Sequence, residues 1–376
     1  MTKYQETIKD VVYLCACAVD GAPLDTERVK QMDLAALYQA ANRHQLTAIV
    51  AMSLESAGIK DSTFTQAKGK AIRKIILMDA EKAALFARLE EAGIWYMPLK
   101  GAVLKELYPA IGMRQMSDFD ILFDANRADD LPGIMESIGF TVDHIGSGHH
   151  DAYEKEPVCR FEMHRMLFST FYDEKLYRYY QAVKSRLLKD EDNEFGYHFS
   201  DEDFYIYMIA HEYKHFSGSG TGLRSVLDTY VFLRKNVALD WGYIACEMEK
   251  LGLSDFEAKN RSLSMHLFGG EARSAEEQAM LDYILSSGTY GTVQNRFHNI
   301  IAAYGGGKRG KLRYMLDRFC VPCRETDPNY AAYAGQYPVF YRHKLLLPVL
   351  PFYRIFYSVK SGRFKSEARA IKNARG

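Results

Sequence analysis

Apolar residues recur at intervals of three and four through roughly the first ninety positions. TIKDVVYLCACAV, DLAALYQAANRHQL and AIVAMSLESAG each read as an amphipathic helix, punctuated by Gly21, Pro23 and Gly58. A longer helix is expected through KAIRKIILMDAEKAALFARLEEAG, stopping at Gly93, where glycine suits the residue after a helix end. The period then changes. Ile94–Leu99 reads as a buried strand, Ala102–Leu107 as a short helix ended by Pro109 and Gly112, and Asp118–Phe123 as a second strand. Residues 127–138 give a helix that stops at Gly139. Phe140–Ile145 and Val158–Leu167 alternate as strands do, joined by a polar link holding Gly146, Gly148, His149 and His150.

From Phe171 the pattern is helical again. Ser200-Asp201-Glu202-Asp203 resembles a capping box and opens a helix through FYIYMIAHEYKHF. Gly218, Gly220 and Gly222 break it before a second helix, LRSVLDTYVFLRKN, and further helices run to about Ala303. Gly305–Gly310 reads as a loop, and neither an internal repeat nor a low-complexity tract is visible. The expectation is an α+β fold in which a small mixed sheet of four or five strands is flanked by helices. Four divisions follow: a helical N-terminal region over 1–91, an α/β core over 92–198, a helical C-terminal domain over 199–304, and a basic, tyrosine-rich segment over 305–376. A chain of 376 residues exceeds the ~250–300 at which single cores stop growing, so two or more domains are expected.

Composition changes this picture only at the C-terminal end. At 48% hydrophobic and 26% charged the chain is ordinary globular material, and its formal net charge is zero. The charge is unevenly spread: Gly307–Gly376 holds fifteen Lys/Arg against four Asp/Glu, a net +11, so the remainder carries −11. A basic tail on an acidic body suggests a polyanion or membrane-surface contact, and solvated helix faces are the plainer account. No apolar run reaches the ~18 residues of a spanning helix. Leu345–Val359 comes closest but is broken by Pro348, Pro351 and Arg354; a buried helix pair is expected there rather than an interfacial segment. The N-terminus lacks the apolar stretch of a signal peptide, and six cysteines without one point to reduced thiols in the cytoplasm.

The candidate chemistry concentrates between Ile94 and Asp124. On a strand, Asp118 and Asp120 share a face roughly 6.5 Å apart. Two carboxylates so placed repel unless a divalent metal sits between them. Upstream, Gly101 would let a phosphate approach the backbone at the start of a helix, and Lys100 or Arg114 would neutralise its charge. Metal-assisted phosphoryl transfer needs a third acid. Glu162, on a strand with apolar neighbours, is costly there unless it is paired or bound to metal, though an edge-strand surface acid explains it as well.

Lys100-Gly101, the short helix ending at Tyr108-Pro109, Arg114-x-x-Ser117-Asp118-x-Asp120-Ile121-Leu122, and Glu162-x-His164 together resemble the DNA polymerase β-like nucleotidyltransferase superfamily. More narrowly, the set resembles the bacterial "uncharacterised nucleotidyltransferase" family, whose helical His-x-x-x-His followed by Arg and Asp is matched by His211, His215, Arg224 and Asp228. The resemblance spans roughly residues 30–240. It implies transfer of a nucleoside monophosphate from an NTP to a hydroxyl-bearing acceptor, whether small molecule, protein or RNA, with Mg²⁺ or Mn²⁺ as cofactor. It also implies that Asp118 and Asp120 hold the metal against the triphosphate. Glu162 would complete a second metal site or deprotonate the acceptor. Lys100, Gly101, Arg114, Ser117, His164, His211, His215, Arg224 and Asp228 would surround the nucleotide. Ala102 follows Gly101 where the wider superfamily has Gly or Ser; this departure motivates a second reading, a degenerate fold that binds a nucleotide or a partner without turnover.

A third reading starts from His211-Glu212-Tyr213-Lys214-His215, a literal H-E-x-x-H that would bind Zn²⁺ with the glutamate as general base. Thr221 stands where the extended motif has its third histidine, no glutamate follows before Glu247, and Lys214 would repel the metal. A helix face closing the cleft, or plain packing, accounts for these residues more simply. Gly305-x-x-x-x-Gly310-Lys311 has Leu312 in place of a phosphate loop's Ser/Thr, and Cys320-Val321-Pro322-Cys323 lacks the second pair of a zinc site. His149-His150-Asp151 would face the cleft or form a polar turn.

Overall fold

The structure, a computed structural model, describes residues 2–360 except 147–148, 171–172, 236–237, 318, 325–326 and 328–329. The expected helical onset at Phe171, the link glycine Gly148 and the last part of the basic segment lie outside the described residues.

The N-terminal periodicity gives α1 (Lys3–Asp20), α2 (Thr26–Lys30), α3 (Leu34–Arg43), α4 (Thr47–Ser56) and α5 (Ser62–Glu91). Thr2 and Gln5 form a reciprocal capping box that starts α1. Gly93 follows α5 with φ +69°, the left-handed position that glycine occupies at least cost. One strand, β1 (Tyr96–Pro98), leads into the single turn α6 (Gly101–Leu104) and then β2 (Phe119–Phe123). The unit is completed by α7 (Leu131–Ser137), β3 (Thr141–His144), β4 (His150–Lys155) and β5 (Cys159–His164). The expectation of an α+β fold with a small mixed sheet flanked by helices is met. Its five strands lie in the order β1-β2-β5-β4-β3, with β2 and β5 parallel and every other neighbouring pair antiparallel.

One strand sits where the sequence shows a polar link. β4 carries His150, Asp151, Glu154 and Lys155, a composition that argues against a strand. Tertiary pairing overrides it. Asp151 is buried, but its carboxylate accepts from the Gly146 N–H at 2.8 Å and from Arg165 Nη2 at 2.7 Å, while Ala152 and Tyr153 enter the core.

Alternation along the strands sorts the two faces of the sheet. Phe119, Ile121, Phe123, Phe161 and Met163 pack against Met78, Leu85 and Leu89 of α5 and Leu131 and Met135 of α7. Asp120, Leu122, Glu162 and His164 therefore point the other way. That second face is met by two helices, α9 (Asp201–Gly218) and α10 (Leu223–Lys235), which follow the short α8 (Glu174–Tyr179) and a two-stranded sheet of β6 (Leu188–Lys189) and β7 (Tyr197–His198). Ser200 caps α9 by accepting from the Asp203 N–H at 3.1 Å. Asp203 does not reach back; its carboxylate takes Arg186 Nη2 at 2.6 Å and the Tyr243 hydroxyl at 2.9 Å.

Beyond α10 come α11 (Trp241–Leu251), α12 (Ser254–Gly269), α13 (Ala275–Ser287) and α14 (Val293–Ala303). Residues of α10, α12 and α13, among them Val226, Leu227, Leu263, Leu267 and Leu281, share one apolar core with α1, α3 and α4. Two C-terminal expectations are corrected. Helix α15 (Gly307–Asp317) already begins inside the Gly305–Gly310 stretch expected to be a loop, because Gly305 and Gly306, both at positive φ, complete the turn in two residues. Leu345–Val359 is not a buried helix pair. After α16 (Tyr330–Gln336) and α17 (Pro338–Arg342), a 3₁₀ stretch precedes α18 (Leu350–Lys360), and Leu345, Phe352 and Phe356 are exposed around a small centre of Tyr341, Leu347 and Leu350. Prolines at 348 and 351 divide the run, so only a few of its apolar side chains find cover. No described helix is long and apolar enough to cross a membrane.

Candidate active site

The parallel register of β2 and β5 sets Asp120 directly beside Glu162. Ile121 pairs with Met163 and Leu122 with His164, so period-two alternation leaves both acids on the face turned toward α9 and α10. Asp118 stands two residues before Asp120, just ahead of β2, and is half-buried. Asp120 is almost fully buried and accepts from two neighbours: Lys100 Nζ at 3.2 Å and His164 Nε2 at 2.7 Å on the same oxygen, Oδ1. Glu162 Oε2 lies 3.4 Å from His150 Nε2 and 3.9 Å from His164 Nε2, and its Oε1 is 3.7 Å from Arg160 Nε.

The three carboxyls titrate apart. Burial opposes the charge of Asp120, but Lys100 and His164 outweigh it and hold the group well below the ordinary carboxylate range. Burial, then the charge of Asp120, raises Asp118. Glu162 is pushed up to about 7 by burial and by the charges of Asp120 and Asp118. Crowded carboxylates of this kind are relieved by a shared cation. Asp120, Glu162 and His164 each place a donor atom within 4.8 Å of the others.

Lys100 enters this cluster from a strained turn. Its φ of +45° and ψ of −113° are those of the first corner of a type II′ turn, and the Leu99 carbonyl accepts from the Ala102 N–H at 3.0 Å to close it. Glycine is usual at that corner, and a side chain there costs on the order of 1–3 kcal/mol. The sequence directed attention to Gly101 as the special backbone position. Gly101 has ordinary φ and is buried; a Cβ on it would fall 2.9 Å from Met116 Sδ and closer still to Arg114 Nη1. It is glycine because the Arg114 guanidinium passes over it.

Arg114 in turn is committed to Asp228. Its Nε and Nη2 donate to Oδ1 and Oδ2, each at 2.8 Å, and the Tyr108 hydroxyl donates to Oδ1 at 2.8 Å. All three residues are buried, and this knot fastens α10 to the segment that carries the acids. Arg224, one helical turn before Asp228, donates to the Gln115 carbonyl at 3.1 Å and to Gln45 Oε1. Ser117 Oγ accepts from Gln45 Nε2 at 3.2 Å and meets the Tyr290 hydroxyl at 3.0 Å. Lys74 donates to the Ser117 carbonyl at 2.6 Å; burial lowers its affinity for its proton, while Asp118 nearby opposes that. Gln45, Lys74 and Tyr290 carry no signal in the sequence, because each reaches the site from a different distant segment: the turn after α3, the helix α5 and the turn after α13.

His211 and His215 share the cleft side of α9, with Nε2 atoms 3.1 Å apart. Burial, then Lys100, holds both imidazoles neutral, His215 at about 3. Glu212 is turned away into the helical core, where its Oε2 accepts from Asn260 Nδ2 at 3.0 Å. The histidine pair thus lacks the general base a zinc hydrolase needs, and the geometry gives that reading no support. Lys214 Nζ lies 3.5 Å from His149 Nε2, beside rather than within the pair. The sheet face therefore gathers Lys100, Asp118, Asp120, Glu162 and His164. Ser117, Arg224, His211 and His215 border it, while Arg114, Asp228 and Gly101 form the packing beneath.

No match was found among curated proteins or among solved structures. The family model described as "Uncharacterised nucleotidyltransferase" matches residues 30–269. That stretch is well over half the chain and includes both acid-bearing strands and the helices that face them, and the chain belongs to this family.

Proposed function

We propose that this protein is a divalent-metal-dependent nucleotidyltransferase of the DNA polymerase β-like type. The observation that carries the reading is the in-register pairing of Asp120 with Glu162, with Asp118 half-buried just ahead of the strand. Three carboxyls in that arrangement suit a hard, oxygen-seeking cation, Mg²⁺ or Mn²⁺. Such an ion supplies neutralisation of the triphosphate and of the charge that develops on the leaving pyrophosphate. The chain's own residues bind and orient. Lys100, held beside Asp120 by its strained turn, is placed to move onto a phosphate oxygen, and Lys74 and Arg224 supply positive charge around Asp118. The acceptor oxygen bonds to the α-phosphorus as the bond to the β-phosphate oxygen breaks. Glu162 either completes the cation site or takes the hydroxyl proton.

The acceptor in this reading is a small molecule, a protein or an RNA, in a cytoplasmic setting that the six free thiols support. A polyanionic acceptor would meet Lys308, Arg309, Lys311 and Arg313 of α15. A second reading rests on one specific observation: Lys100 and His164 both donate to Asp120 Oδ1, an oxygen that a cation would also need. That is what a nucleotide-binding module without turnover would show. Incubation with each labelled NTP and Mg²⁺ or Mn²⁺, in a host extract, separates the two. Label transfer with pyrophosphate release supports the transferase. Thermal stabilisation by NTP without transfer supports the binding module.

A further inference from the structure

Beside the carboxylates lies a second cluster, of which the transferase reading uses only His164. β4 pairs with β5 so that His150 stands directly across from His164 on the acid-bearing face, and His149 precedes it. The ring centroids are 4.7 Å apart for His149 and His150, 5.1 Å for His150 and His164, and 5.3 Å for His149 and His164. One nitrogen from each of the three rings lies within 4.8 Å of the other two.

The hydrogen bonding within the cluster is directional. A carboxylate oxygen accepts, so His164 Nε2 donates in its 2.7 Å contact with Asp120 Oδ1, and the neutral ring carries its lone pair on Nδ1. That nitrogen is buried, on a residue only 2% exposed, and has no partner among the described residues. His150 repeats the arrangement more loosely, with Nε2 toward Glu162 at 3.4 Å and a buried Nδ1 without a partner among the described residues. A buried acceptor left unsatisfied is costly. A carboxylate behind a histidine that turns its other nitrogen outward is how metal-ligating imidazoles are oriented.

We propose that His149, His150 and His164 form a binding site for a divalent transition ion of the zinc class, distinct from the Mg²⁺ or Mn²⁺ site on Asp118, Asp120 and Glu162. Imidazole nitrogen suits Zn²⁺, Co²⁺ or Ni²⁺ and is a poor ligand for Mg²⁺. Three histidines leave the ion a further position for water or for an oxygen of a bound molecule. Lys214 beside His149 is a positive neighbour that weakens the site, and burial lowers it to about 8. The inference does not depend on the transferase reading, since it concerns the ion alone.

The test uses the full chain stripped of metal by chelation, with Co²⁺ or Zn²⁺ alone and no nucleotide. One equivalent of Co²⁺ should bind and give visible d–d absorption of low-symmetry coordination, and Zn²⁺ should show imidazole scattering in X-ray absorption. His149→Ala with His150→Ala should weaken binding at least about ten-fold, and Asp118→Asn should leave it within two- to three-fold. His150→Gln, the milder change, should weaken it in the same direction, with circular dichroism reporting that each variant is folded. Binding that ignores the histidine variants, that is lost on Asp118→Asn, or that lacks imidazole scattering overturns the proposal. Failure of NTP turnover with intact Co²⁺ binding would overturn the transferase reading and leave this site standing.

Discussion

Asp120 and Glu162 face each other across the parallel β2–β5 pair, one held ionised by Lys100 and His164, the other raised to about 7 by burial and by its acidic neighbours. The asymmetry arises from position: Asp120 lies inside the cationic contacts and Glu162 at their edge. The Asp118→Ala/Asp120→Ala double variant should lose NMP transfer by at least about 10²–10³-fold, the cost of removing preorganised charge stabilisation. Label incorporation measures it, and circular dichroism should show the fold intact. Unchanged transfer would remove both acids from the mechanism.

Gly101→Ala should be destabilising by about 1–3 kcal/mol, the usual cost of overpacking. The added methyl meets Met116 and the Arg114 guanidinium, which two bonds to Asp228 prevent from moving aside. Urea unfolding measures the loss. A neutral result would show that Arg114 repositions freely.

Asp228→Ala should cost more, about 3–5 kcal/mol, because it leaves the Arg114 charge buried without its partner. Tyr108→Phe removes only one donor to the same carboxylate and should cost about 1 kcal/mol. If Asp228 served nucleotide binding alone, both variants would keep wild-type stability and differ only in NTP affinity.

Glu212 makes stability depend on pH. Burial raises its carboxyl from an ordinary 4.5 to about 7 in the folded chain. Below 4.5 the group is neutral in both states. Between 4.5 and 7 the unfolded chain ionises while the folded chain does not, so its contribution to stability is lost as pH rises, by at most about 3 kcal/mol. Glu212→Gln should flatten this slope and be more stable than wild type at pH 8, since an amide can also donate to Asn260 Oδ1, which lacks a partner among the described residues. Denaturation midpoints at pH 5 and pH 8 test it; equal slopes in the two proteins would count against the assignment.

Local pattern carried far in this chain. The helical periods of α1, α3, α4 and α5, the apolar run of β2 and the alternation of β5 were legible because each element's buried face is written at its own period. The acids Asp118, Asp120 and Glu162 stood out for the same reason, as charges set among apolar strand positions. β4 was not legible: Asp151 is satisfied by Arg165 and the Gly146 N–H, Glu154 by Arg160 and Lys155 by Glu81, all of which lie outside the strand.

What the sequence determined by itself was the N-terminal helices, the strands β2 and β5 and the presence of two acids at the start of a buried strand, since these follow from side-chain period and local backbone preference. The tertiary structure decided which residues meet. It put Glu162 in register with Asp120, tied Arg114 and Asp228 into packing, and made Lys100 rather than Gly101 the strained residue. It also brought His149, His150 and His164 together and turned Glu212 away from its histidines. Each of these depends on strand register or helix packing between distant segments, which no local period encodes.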